Sequence, residues 1–252
     1  MKWLLLPYSL YLIVVFFLLM PIMVIWYVGI KLFVPYPKQI KAVYTANDFL
    51  FFTWSAFVGF RYKIRGMEQV KKDQTYIVIC NHSNVADMPA AAYGSIVNAK
   101  PLVKKELLKI PLLGWLFAMS SVPVDRKTEE GRKKSMQIMR NELKQGISLL
   151  IFVEGTRNRT EKPLKEFHNG AFALSIESGI PILPLVFTNM RSISRPDSYL
   201  FKPGTIEVTH LEPIYPDGFT KDQIEDYKAL AFKNMWNFLV KKDEIFSNEN
   251  LI

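Results

Sequence analysis

A chain of 252 residues, 50% of them hydrophobic and with a formal net charge of +9, is long enough for one sizeable domain plus an appendage. Its one cysteine, Cys80, excludes an internal disulfide framework and reads as a small apolar residue at a strand end. The positive charge suits nucleic acid, anionic lipid or acidic ligands, but zinc-finger spacing, a basic-region zipper and an RNA-binding strand pattern are all missing; anionic membrane and phosphate-bearing substrates fit better, and no nucleic-acid partner is expected.

From Trp3 to Ile30 there is no charged residue in 28 positions, which as a helix would extend about 42 Å against about 30 Å of hydrocarbon. That is enough to span, yet Pro7 and Pro21 interrupt the run and each removes an intrahelical hydrogen bond. Two half-length pieces joined near Pro21 would suit a re-entrant or in-plane anchor. Phe49 to Phe60 is a second uncharged run, 12 residues long, too short to span and suited to the interface. A cleaved signal peptide would explain Lys2 and the apolar core, but no small-residue cleavage site follows. If the first segment spans, Lys31, Lys38 and Lys41 outweigh Lys2 and put the body of the protein on the cytoplasmic face of the membrane. Residues 1–60 are thus expected to be membrane-anchoring hydrophobic helices, and 61–252 a separate domain.

In that domain Thr75–Cys80 reads as an apolar strand, followed by a short helix over residues 84–93. Lys104–Leu108 and Leu112–Met119 look like helical pieces separated by Ile110-Pro111. Val122–Val124 is a short strand, and Pro123 makes it an edge or a bulge. Lys127 to Gln145 is an amphipathic helix closed by Gly146, and Ile147–Val153 a second apolar strand. Asn169–Ser178 is a helix stopped by Gly179, before a buried strand Ile182–Phe187 and a later one, Thr205–His210. Thr220 opens the last helix with a capping box to Gln223, running to about Lys242. Strands alternating with helices predict an α/β fold, a mostly parallel twisted sheet flanked by helices and preceded by the hydrophobic helix pair.

Four apolar runs end in polar clusters: Cys80 into Asn81-His82, Val124 into Asp125-Arg126, Val153 into Glu154-Gly-Thr-Arg157, and Phe187 into Thr188-Asn189. Ligands bind outside the carboxyl ends of strands in an open α/β sheet, so the four could converge on one pocket. In the first cluster His82 and Asp87 are five residues apart, which on a regular helix would leave them roughly 140° apart. They pair only if His82 sits in the turn leaving the strand and Asp87 in the first helical turn. That context argues against zinc, which wants histidines four apart on one helical face, and no other metal-ligand spacing is present. His82 is then a general base and Asp87 the acid that fixes its tautomer. No Gly-x-Ser-x-Gly elbow supplies a covalent nucleophile. The alternative is that His82 merely caps the following helix.

Residues 60–215 carry four motifs in order: Asn81-His82-Ser-Asn-Val-Ala-Asp87; Val122-Pro-Val-Asp125-Arg126, after Lys104-Lys105-Glu-Leu; Val153-Glu154-Gly155-Thr156-Arg157; and Gly179-Ile-Pro181-Ile-Leu-Pro184-Leu, after Phe167-His-Asn-Gly170-Ala171. With these the chain resembles the glycerolipid acyltransferase family, and within it the 1-acylglycerol-3-phosphate (lysophosphatidate) acyltransferases. The resemblance implies a membrane-bound O-acyltransferase that moves a fatty acyl group from a coenzyme A or acyl-carrier-protein thioester to the 2-hydroxyl of lysophosphatidate. The alternative acceptor is another lysolipid or an amine-containing lipid. No metal or cofactor is implied beyond the acyl donor, and the bilayer is a partner. By the same resemblance Arg157 and Arg126 hold the acceptor's phosphate, with Lys105 as a third cation. Gly155 would let backbone approach the ligand within the Glu154-Gly155-Thr156-Arg157 run, and Glu154 would position Arg157 or Arg126. Departures from the family pattern are Val153 for a proline, Ser120 for a glycine, Pro123 for an aliphatic residue, and His168 and Asn169 for lysines. The lost lysines bear on the acceptor headgroup. His168 reads as a loop residue and His210 as packed or surface-exposed.

Overall fold

The computed structural model describes residues 2–35, 38–243 and 246. Lys2–Phe33 forms one helix, α1, with Pro7 and Pro21 inside it. The break expected near Pro21 does not occur. A proline removes one hydrogen bond, whereas an open break would leave several backbone groups unpaired among apolar side chains, which costs more. A second helix, α2 (Lys38–Val58), lies antiparallel to it, since Tyr8 donates to the Val58 carbonyl at one end and Tyr27 to Asn47 at the other. The Phe49–Phe60 run is therefore the C-terminal half of α2 and the start of the first strand. Among the described residues α1 alone is long and apolar enough to cross a membrane.

Seven strands follow: β1 (Phe60–Arg65), β2 (Ile77–Cys80), β3 (Ala99–Lys104), β4 (Val122–Val124), β5 (Ser148–Phe152), β6 (Ile182–Thr188) and β7 (Gly204–His210). They form one sheet in the order β1-β7-β6-β2-β5-β3-β4, parallel throughout except for the antiparallel β6–β7 pair. Pro123 sits on the edge strand β4, where its missing N–H breaks no ladder. Strands β1 and β3 were not expected. The first continues directly from an apolar helix, and Pro101 disguises the second.

The side-chain period of two divides the core between the faces of the sheet. Val78, Cys80, Leu150 and Leu185 point to one face with Leu12, Trp54 and Val58 of the helix pair, so that pair shares a core with the sheet. Ile77, Ile79, Leu149 and Ile151 point to the other, under Phe172, Tyr227 and Met235. The helices are α3 (Asp87–Gly94), α4 (Leu113–Ser120), α5 (Glu129–Lys144), α6 (Gly170–Ser178), α7 (Met190–Ile193) and α8 (Ile224–Lys242). Two predicted ends shift for visible reasons. α3 starts at residue 87 because the preceding residues wrap a carboxylate, and Lys105–Lys109 is a 3₁₀ turn rather than part of an α-helix. Elsewhere the punctuation holds. Thr128 caps α5 by accepting from the Gly131 N–H at 3.0 Å, Gly179 ends α6 at φ 69°, and Thr220 N–H donates to Gln223 Oε1 at 3.0 Å.

This topology places the site. From β2 the chain leaves through α3 on one face of the sheet, and from the adjacent β5 through α6 on the other, so the two connections part to opposite faces. Such a switch point opens a crevice at the carboxyl ends of the strands. His82 follows β2 and Glu154 follows β5.

Candidate active site

His82 lies in the turn leaving β2 and Asp87 opens α3, the one arrangement in which their spacing allows contact. His82 Nδ1 is 2.8 Å from Asp87 Oδ2. The same oxygen accepts the Ser83 N–H at 2.6 Å and the Asn84 N–H at 2.8 Å. Asp87 is wholly buried, and its other oxygen has no hydrogen-bond partner among the described residues. An ionised carboxylate only accepts, so Nδ1 carries the ring proton and Nε2 keeps its lone pair. The imidazole is not sealed in, since 18% of its side chain is accessible. Its face stacks on Phe152, with ring centroids 4.2 Å apart and planes 30° apart. Asp87 thus holds the ring by its edge and Phe152 by its face.

The backbone of His82 is held as firmly. Its N–H donates to Glu154 Oε1 at 2.8 Å, and its carbonyl accepts the Asn158 N–H at 2.6 Å. Glu154 Oε2 accepts the Lys165 N–H at 2.9 Å. Glu154 therefore does not position Arg157 or Arg126; it ties the turn carrying His82 to the loop after β5. A buried carboxylate satisfied by two backbone donors needs no guanidinium. Asn81 joins the turn to β6, with its side chain exchanging two bonds with the Phe187 backbone at 2.8 and 3.0 Å.

Burial pushes the Glu154 carboxyl up from 4.5 to about 7, against the opposing pull of the His82 and Lys165 N–H bonds. The folded group holds its proton to higher pH than the unfolded one. Its contribution to stability is therefore full below the unfolded value and lost as pH rises through the folded one. Between about pH 5 and pH 8, Tm is expected to fall less steeply in Glu154→Gln than in the parent chain. Parallel slopes would assign that ionisation elsewhere.

Gly155 has φ 73°, and a Cβ there would stand 2.5 Å from His168 Nε2. The turn and the His168 ring account for this glycine, in place of the expected approach to a ligand. Gly155→Ala should cost about 1–2 kcal/mol from the left-handed backbone alone, read as a lower Tm. Thr156 Oγ1 accepts from Lys165 Nζ at 2.7 Å. Arg126 Nη1 donates to the Gly155 carbonyl at 3.0 Å, which brings the second and third motifs together. Asp125 turns instead to Lys105 Nζ at 3.6 Å. Arg157 lies over the Tyr199 ring at 5.7 Å, and its hydrogen bond draws the Tyr199 hydroxyl pKa down.

Some contributors escaped sequence reasoning. Arg191 donates to the Thr160 carbonyl at 2.8 Å and the Lys162 carbonyl at 3.0 Å, stapling the loop after β5 to α7. It lies two residues past the Thr188-Asn189 cluster, the one hint available. His210 Nδ1 bonds the Arg65 carbonyl at 3.2 Å and is buried, a packed residue. Cys80 is fully buried, which pushes its thiol well above its ordinary value and keeps it unreactive. Among the described residues no group of three His, Cys, Asp or Glu side chains is placed to hold a metal ion.

Beside the His82–Asp87 pair an apolar cavity of about 430 Å³ runs between the helix pair and the sheet, lined among others by Leu12, Phe16, Trp54, Ala86, Pro89 and Leu116. Ala86 belongs to the segment between His82 and Asp87, so the cavity reaches that turn.

Residues 61–188 match the model of the family described as Acyltransferase. An uncharacterized acyltransferase of Schizosaccharomyces pombe is 30% identical over 75% of this chain and 69% of its own length. The chain belongs to the acyltransferase family. The 1-acyl-sn-glycerol-3-phosphate acyltransferase of Haemophilus influenzae is 29% identical to this acyltransferase, over 76% of the chain and 80% of its own. The enzyme of that name from Limnanthes douglasii is 32% identical over 67% of this chain but only 60% of its own length. The crystal structure of the 1-acyl-sn-glycerophosphate acyltransferase of Thermotoga maritima superposes with a TM-score of 0.80 over 94% of this chain and 95% of that one, at 20% identity, and shares its fold. The matched span of the acyltransferase contains His82, Asp87, Arg126, Glu154 and Arg157, together with β2 to β6.

Proposed function

We propose that this acyltransferase moves a fatty acyl group from a coenzyme A or acyl-carrier-protein thioester to the 2-hydroxyl of lysophosphatidate, forming phosphatidate. It would work at the cytoplasmic face of a membrane held by the N-terminal helices. The observation that carries this reading is His82, with Nδ1 bonded to buried Asp87 and its ring partly accessible, beside an apolar cavity. Nε2 takes the proton of the acceptor hydroxyl as its oxygen attacks the thioester carbonyl. Asp87 stabilises the imidazolium that forms. When the tetrahedral intermediate collapses, the imidazolium returns its proton to the departing thiolate, so acyl group and proton have exchanged carriers. No metal, cofactor or acyl-enzyme is required. The cavity suits the fatty chain, and the names of the relatives from Haemophilus and Limnanthes support the acceptor.

Arg126, Arg157 and Lys105 serve the phosphate in this account. Arg157→Ala is expected to raise the KM for lysophosphatidate about 10- to 100-fold, the value of a charge-assisted hydrogen bond. A phosphate-free monoacylglycerol should be handled equally by both proteins; an equal loss on both acceptors would remove Arg157 from the headgroup site. The function itself is tested with purified chain, labelled acyl-coenzyme A or acyl-carrier protein, and a panel of acceptors in mixed micelles. Lysophosphatidate should be converted ahead of lysophosphatidylcholine and amine-containing lipids. Turnover of one of those with lysophosphatidate inert would defeat the assignment.

A further inference from the structure

We infer that the turn at residues 107–112 is a second membrane-contact element, which enters an anionic leaflet beside α1. The inference rests on the proposed membrane attachment of the N-terminal helices. Leu107, Ile110 and Leu112 are 36%, 40% and 58% exposed, three large apolar side chains within six residues. Single exposed hydrophobic residues are ordinary, but a cluster of them on one turn asks for an apolar partner. Leu112 holds φ 64°, a conformation that a residue with a Cβ adopts only when its surroundings impose it, and such positions concentrate at functional sites.

Position and charge select a bilayer as that partner. The turn runs straight into α4, whose Trp115, Leu116 and Met119 pack on Met23, Tyr27 and Ile30 of α1. Trp115 and Tyr27 bring their ring centroids to 6.2 Å. The turn therefore adjoins the C-terminal half of α1, where Ile22, Ile25, Trp26, Leu32 and Phe33 are exposed, and it extends that apolar surface. Lys104 and Lys105 precede it and Lys109 lies on it; of the facing carboxylates, Asp125 stands 3.6 Å from Lys105, and Glu106 is paired with Lys127 at 2.7 Å. Apolar side chains ringed by lysines match an anionic lipid surface. Two separated contacts also stop the body from turning about the axis of α1. Lys105, two residues before Leu107, is then carried to headgroup level, where a lipid phosphate waits.

Cys80 is the sole cysteine and is wholly buried, so a cysteine introduced at the surface of the full chain takes a label alone. A polarity-sensitive fluorophore on Leu112→Cys should shift to the blue on phosphatidylglycerol-rich vesicles and be quenched by lipid-borne nitroxides. The same label on Lys133→Cys, exposed on α5, should not respond. The Ile110→Asp, Leu112→Asp double variant should keep its Tm and its activity on detergent-dispersed acceptor, yet lose about tenfold on vesicle-embedded acceptor. A label at 112 that stays in water while the protein floats with vesicles overturns this inference and leaves the anchoring by α1 standing. Protein that does not float at all overturns both.

Discussion

His82→Ala should lower acyl transfer by about 10³- to 10⁴-fold, the upper range for a general base, with little change in KM for either substrate. The imidazole is partly accessible and its removal leaves the Asp87 carboxylate still accepting two backbone N–H bonds, so no buried charge is stranded. Tm is accordingly expected to move little, and association with membranes not at all. Initial rates on purified, folded protein measure this. A variant retaining a tenth of the parental rate would mean that proton removal is done elsewhere.

Asp87→Ala is the second large effect, and it differs in kind. The alanine frees the imidazole to take either tautomer and orphans the N–H groups of Ser83 and Asn84. Activity should fall about as far as with His82→Ala, and stability by about 2–6 kcal/mol, since each of the two buried donors left unpaired costs about 1–3 kcal/mol. Asp87→Asn separates the two losses. All three donors converge on Oδ2, so an asparagine oxygen in that place still accepts them, and the amide nitrogen replaces the oxygen that has no partner among the described residues. Its tautomer should survive, at a stability cost of about 1–3 kcal/mol for the amide nitrogen placed at that partnerless position. Only the negative charge that stabilises imidazolium is gone, which predicts a loss about 10- to 100-fold, smaller than that of the alanine. Melting curves and rates of the two variants side by side check this. Near-parental activity in Asp87→Asn would show that Asp87 acts chiefly as a structural brace.

The sequence carried the parts of this account that depend on local chemistry. Apolar runs ending in polar clusters located β2, β5 and β6 and their carboxyl ends, and the five-residue spacing already required His82 in a turn and Asp87 at a helix start. What it could not carry were partners brought by topology. Glu154 reaches the His82 backbone because β2 and β5 are neighbours, a fact absent from either segment alone. Phe152 shows the same limit: an ordinary strand residue in the sequence, it lies under the imidazole only because of that pairing. Arg191 is an unremarkable surface-type residue until the loop after β5 folds across to it. Gly155 in the sequence suggests room cleared for a ligand, whereas the space is filled by a histidine thirteen residues along the chain. The N-terminal helix misled for another reason. Two prolines suggested a broken helix, but unpaired backbone groups are expensive among apolar side chains, and the helix runs through both.

The most direct test is a structure of this chain with lysophosphatidate and a non-transferable thioester analogue bound together. The account predicts the acceptor's 2-hydroxyl oxygen within about 3.2 Å of His82 Nε2, hydrogen-bonding distance for a proton in transfer. It also predicts the phosphate on Arg126 and Arg157 and the acyl chain in the cavity against the N-terminal helices. A headgroup bound away from those arginines, with its hydroxyl out of reach of the imidazole, would contradict it.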